Sequence, residues 1–192
     1  MKVFGIDPGS ERTGYGCVET DGRRLRLIVC GAITASKADA FPARLARIHL
    51  QLTALLEQCR PDSVAIEDLF HAVNVRSALK LGHARGVAML AAVQSGCPIA
   101  EYTPAEVKRA VVGYGRADKA QVQQMVKLLL GLDQAPSPHD AADALAVAIC
   151  HLHSLPAHVP STVAGAAAGS GGGTTASPRA PRSWRQYRPP AS

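Results

Sequence analysis

Two short apolar runs, each closed by a single carboxylate, constrain this chain more than any other feature. KVFGID (2–7) and SVAIE (63–67) are nearly uniform in hydrophobicity, the pattern of strands covered on both faces. Such strands belong side by side at the centre of a sheet, and in open sheets ligands gather at the carboxyl ends of the central strands. Run in parallel, the two would bring Asp7 and Glu67 together at one edge of the core.

The rest of the chain supplies what covers such a sheet. GYGCVET (14–20) and RLRLIVCGAIT (24–34), separated by Asp21-Gly22, read as a hairpin. Pro42 opens a helix whose Leu45, Ile48, Leu52, Leu55 and Leu56 share a face, and Arg60-Pro61 stops it. A longer helix spans about 74–95 with Val75, Leu79, Gly82, Gly86 and Leu90 along one side, and PIAEY (98–102) is a fifth strand. Thr103 with Glu106 and Asp118 with Gln121 are capping signals for two more helices, and a last helix starts near His139-Asp140 and runs through AADALAVAIC. The order βββαβαβ followed by helices predicts an α/β fold, a mixed sheet with helices packed on it.

Composition sets the limits. Of 192 residues carrying a net charge of +6, residues 156–192 hold four arginines (179, 182, 185 and 188) and no acid. They are dominated by Gly, Pro, Ala and Ser, too poor in apolar surface to offset chain entropy. We therefore expect a folded domain over 1–155 and a disordered tail over 156–192, with Trp184 and Tyr187 among its arginines as either an accessory nucleic-acid arm or a solubilising segment. The longest apolar stretch of the domain, 86–100, is shorter than the roughly 18 residues of a membrane span, and an acid at position 7 argues against a signal peptide. Five cysteines without CxxC spacing predict neither a disulfide frame nor a zinc site, and fit a reducing cytoplasm.

Two further acids, Asp140 and Asp143, lie three residues apart at the start of the last helix, on one face, where like charges repel. With Asp7 and Glu67 they offer four hard oxygen donors, favouring Mg²⁺ or Mn²⁺ over Zn²⁺. Such a cluster, holding one or two ions, is a means of cutting phosphodiesters. Each acid also has a plain structural reading: a turn former at Asp7, a solvated strand end at Glu67, a helix cap at Asp140. Asp143 fits such a reading least, because it interrupts an otherwise apolar helix. Asp68 should point to the opposite face from Glu67.

Four blocks, GIDPGSERTGYG (5–16), AIEDLFHAVNVRSALKLGHARGVA (65–88), VKRAVVGYGRADKAQVQQMV (107–126) and HDAADALAVAICH (139–151), resemble in order the signature blocks of the RuvC family of Holliday junction resolvases. The resemblance implies an RNase H-like five-stranded sheet flanked by helices, a homodimer, and Mg²⁺-dependent nicking of two opposed strands of a four-way DNA junction. It also implies partnership with the branch-migration helicase of the same pathway. The family's catalytic acids fall on Asp7, Glu67, Asp140 and Asp143, its DNA-supporting lysines on Lys108 and Lys119, and a base-stacking aromatic on Phe70. His139 adjoins the last block but is read as a surface residue. Arg76, Lys80 and His83 form a basic stripe at helical spacing, and Arg116 follows a glycine-rich linker. Both are readable as phosphate contacts or as solvated surface. Three other readings stay open: an RNase H-like nuclease acting on structured RNA, a catalytically silent junction binder, and a nucleotide-binding ATPase of the actin-like fold.

Overall fold

The computed structural model describes residues 1–36, 38–68 and 74–155. The chain divides into two units, Met1–His158 and Val159–Ser192. Phe70 and the tail residues Arg179, Arg182, Trp184, Arg185, Tyr187 and Arg188 lie outside the described residues.

The elements are β1 (Lys2–Asp7), β2 (Arg12–Thr20), β3 (Leu25–Thr34), α1 (Phe41–Cys59), β4 (Ser63–Glu67), α2 (Val75–Gln94), β5 (Ile99–Tyr102), α3 (Pro104–Val112), α4 (Lys119–Leu129) and α5 (His139–Ser154). They make one mixed sheet in the order β3-β2-β1-β4-β5. The hairpin strands β2 and β3 pair antiparallel, as do β1 and β2, while β1–β4 and β4–β5 are parallel. β1 and β4 therefore lie side by side, as their uniform apolarity predicts, and the RNase H-like expectation of a mixed five-stranded sheet flanked by helices holds.

Side-chain alternation along a strand decides what each face buries. Phe4, Ile6, Val64 and Ile66 pack with Ile48, Leu52 and Leu56 of α1 and with alanines of α2. Val3 and Ala65 face the other way, into a layer built from α3, α4 and α5. The same period of two carries Asp7 and Glu67 onto the α5 face and Asp68 onto the α2 face. There Asp68 pairs with Arg85 at 3.2 Å.

Local signals in the sequence account for the helix ends. Thr103 and Asp118 both close reciprocal capping boxes, with Glu106 and Gln121 respectively. Arg60 ends α1 in the left-handed region at φ 46°, just before Pro61. All five cysteines are free thiols. Among the described residues no helix is long and apolar enough to cross a membrane.

Helix α2 is oriented differently from what its largest apolar residues suggest. Its buried residues are Ala84, Ala88, Ala91 and Ala92, whereas Val75, Leu79, Leu90 and Val93 are 77%, 60%, 50% and 62% exposed. Gly82 and Gly86 continue this outward seam, with nothing among the described residues within 4 Å of where a Cβ would stand. Small residues face the sheet because the helix lies close to it, and the larger ones are left outside.

Candidate active site

Helix α5 reaches the centre of the sheet because glycines make room for it. A Cβ at Gly14 on β2 would overlap the carbonyl oxygen of Asp140, and one at Gly5 on β1 would overlap that of Ala144. The helix thus lies against bare backbone, which lowers its first turn to the level of Asp7. Gly14→Ala should cost about 1–3 kcal/mol through overpacking, a fall in melting temperature of about 5 °C or more. A melting curve unchanged from wild type would show that the contact is loose.

Asp7 ends β1 and Glu67 ends the neighbouring parallel β4, one step beyond the paired Ile6 and Ile66. The two carboxyls each bear on the other's protonation. Burial, then the charge and hydrogen bond of Glu67, then the charge of Asp143, push Asp7 up to about 9. Glu67 is also raised, first by burial and then by Asp143, with the Asp7 hydrogen bond and the ammonium groups of Lys119 and Lys108 working the other way. The pair therefore holds a proton more tightly than isolated carboxyls would.

Asp143, on the second turn of α5, joins this pair electrostatically. Its Oδ2 accepts from Lys119 Nζ at 3.1 Å. Lys119 opens α4, directly after its Asp118 cap, and its pKa is raised by Asp143 first and by Asp7 and Glu67 more weakly. Lys119 thus supplies positive charge to a group of three acids drawn from β1, β4 and α5.

Asp140 lies one turn before Asp143, with its backbone against Gly14, the β2 partner of Asp7. It sits in the first turn of α5, after Pro138 rather than as the cap itself, and pairs with Arg12 at 3.8 Å. It lines an open cleft of about 630 Å³ together with Ser10, Arg12, Thr34 and Ser36. The turn between β1 and β2 that forms one wall is pinned by Thr13, fully buried, whose hydroxyl donates to the Gly9 carbonyl at 2.9 Å. Among the described residues, no three His, Cys, Asp or Glu side chains are grouped to hold a metal ion as they stand.

The basic residues singled out by the sequence take separate places. Lys108 and Lys119 bear on the acids, Arg76 and Arg116 are exposed, and Lys80 lies over the ring of Phe41. His139 is exposed at the first position of α5. The sequence reading missed Arg12, Thr13 and Arg44. Thr13 and Arg12 fall inside the first signature block, and their proximity to the turn after Asp7 was the available signal.

A mixed sheet of this order, with acids at the carboxyl ends of its two central parallel strands and a helix crossing them, defines an RNase H-like domain. The yeast mitochondrial Holliday junction resolvase shares that fold at a TM-score of 0.55 and 15% identity, over 79% of this chain and 78% of that one. Residues 3–151 match the family described as crossover junction endodeoxyribonuclease RuvC. The RuvC protein of Koribacter versatilis is 57% identical over 155 residues, 80% of this chain and 93% of that protein. The Thermus thermophilus RuvC structure in complex with a Holliday junction substrate superposes with a TM-score of 0.76 at 38% identity, covering 80% of this chain and 93% of that one. The chain belongs to the RuvC family.

Proposed function

We propose that residues 1–155 form a nuclease domain that resolves four-way DNA junctions by paired, symmetric nicks. The observation that carries this reading is the convergence of Asp7, Glu67 and Asp143 with Lys119 at the carboxyl edge of β1 and β4, in a chain of the RuvC family. The acids are hard oxygen donors, partly buried, and their excess charge is held down by a shared proton and an ammonium. That donor set fits a divalent cation of the Mg²⁺ class, with Mn²⁺ as a substitute and one or two ions per site. Asp7, Glu67 and Asp143 would hold it, with Asp140 joining once it leaves Arg12. Bound there, the cation would lower the pKa of the attacking water and screen charge developing at phosphorus.

The protein's own groups do the rest. The Asp7–Glu67 pair gives up its proton as the site becomes fully ionised. Lys119, released from Asp143, and Lys108 then face the phosphodiester as fixed positive charge. Arg76, Lys80 and Arg116, with Phe70 by resemblance, are assigned to the DNA strands on either side.

Two opposed cuts need two sites, and the outward seam of α2 is the surface we assign to a homodimer. The branch-migration helicase remains a partner proposed by resemblance, and the reducing cytoplasm a compartment that suits five free thiols.

The test uses a synthetic four-way junction with each strand labelled in turn. In Mg²⁺ the full chain should place nicks at matching positions in two opposed strands. Glu67→Gln should lower cleavage by about a thousandfold or more while binding in Ca²⁺ persists. Equal cutting of linear duplex and junction, or cleavage confined to RNA, would overturn this reading.

A further inference from the structure

Arg44 of α1 is an unusual place to find a cation. Only 7% of it is exposed, and its Nε has no hydrogen-bond partner. The guanidinium carbon sits 5.3 Å from the centroid of the Phe41 ring. Two more basic side chains, both from α2, gather at the same ring: Lys80 Nζ at 5.9 Å, and His83, whose ring meets it edge-on at 5.8 Å. The acid just before α1, Asp39, lies 3.0 Å from Arg47, and its buried Oδ2, like Arg44 Nε, has no hydrogen-bond partner. Among the described residues none of Arg44, Lys80 and His83 has an ion-pair partner.

Buried charge is normally paired, and an aromatic face is only a partial counter-charge. A buried arginine with an unmet donor beside a lysine and a histidine is therefore a seat for an anion. Its location says which one. The chain passes from Glu67 at the end of β4 into α2, and α1 ends just before β4 begins. The first turns of both helices thus lie at the sheet edge that carries the acids, on the layer opposite α5.

We infer that Arg44, Lys80 and His83, held around Phe41, form a preorganised phosphate seat that takes one backbone phosphate of a nucleic-acid strand leaving the active-site edge. Phe41 and His83 fix the ring and position the two cations, and Arg44 and Lys80 supply the charge. The inference rests on the nuclease reading for the source of the phosphate.

The experiment measures junction binding by the full chain in Ca²⁺ from 50 to 200 mM salt, comparing wild type with Lys80→Gln, Arg44→Met and the double variant. Arg23→Gln, at the exposed β2–β3 turn, is the control. Losing one phosphate contact should flatten the slope of log affinity against log salt by about 0.9. Each single variant should show that change with at least threefold weaker binding, and the double variant should show no further flattening, because the cations share one phosphate. A wild-type slope in Lys80→Gln, an exposed residue whose change does not touch the core, would overturn the seat. So would a double variant whose slope falls by two contacts.

A second arm uses inorganic phosphate without DNA. If it raises the melting temperature of wild type more than that of Lys80→Gln, the seat accepts any such oxyanion. If it does not while the salt slope still changes, the seat is one for backbone phosphate only. Junction nicking with wild-type slopes in all variants removes the seat and leaves the nuclease standing. A chain that neither binds nor nicks junctions removes the nuclease reading, and the phosphate arm alone then decides the seat.

Discussion

In metal-free buffer, Asp7→Asn is expected to melt higher than the wild-type chain while losing junction cleavage altogether. The gain comes from removing a carboxyl that folding places in the wrong surroundings for its charge. Asp7 has an ordinary value of 3.8 and stands at about 9 in the fold, chiefly because of burial and then because of Glu67. An acid whose folded value is raised binds its proton more tightly when folded. Its contribution to stability is complete below about 4 and drains away as pH rises toward 9. Wild type should therefore lose stability across that window, and Asp7→Asn should lose less. At pH 8 we expect a difference of roughly 2 kcal/mol, or about 5 °C in melting temperature. Adding Mg²⁺ or Mn²⁺ should stabilise wild type and leave the variant nearly unmoved. An Asp7→Asn protein that melts below wild type in EDTA at pH 8, or that still cleaves, would show that the acid cluster is not the site.

The second large effect is expected far from the acids. Leu79→Glu combined with Leu90→Glu places two charges on the outward seam of α2, where neither side chain contributes to the core. The seam spans about 27 Å of helix at 1.5 Å per residue, and its central Gly82 and Gly86 leave space for a second backbone. A stable interface of standard size buries about 1,600 Å², so if the seam is the proposed homodimer interface, two charges at its centre should dissociate it. Sedimentation should show a folded monomer, and paired nicking should fall by about a hundredfold or more. Leu128→Glu, at an equally exposed leucine on α4 (70% exposed), should change neither. A double variant that remains dimeric would move the interface elsewhere.

The parts of this fold that were legible in the sequence are those written in one local signal. Uniformly apolar strands of five and six residues need cover on both faces, which puts Asp7 beside Glu67 at the sheet centre. The caps at Thr103 and Asp118 were readable because a capping box is a four-residue event. Helix α2 was harder. A stripe of valine, leucine and glycine marks a face without saying whether core or partner covers it, and only the close seat of the alanines shows which way it turns. Spacing of three puts Asp140 and Asp143 together without naming their partners. Both lie on one face of α5, yet the first turn carries Asp140 toward Arg12 and the second carries Asp143 toward Lys119. Those partners come from β2 and α4, at separations no local pattern encodes. Arg44 was hidden for a similar reason: its meaning depends on Lys80 and His83 of a different helix.

Because α5 rests on the bare backbone of Gly5 and Gly14, the acids ride on β1, β4 and α5, segments that pack into the buried core. Partial opening at the β2–β3 hairpin or along the rim would leave the acid cluster intact, whereas separating helix from sheet would dismantle both together. Turnover in this protein should then track the intact population faithfully during heating, with the loss of rate and the loss of slow-exchanging amides in β1 and α5 falling on one curve.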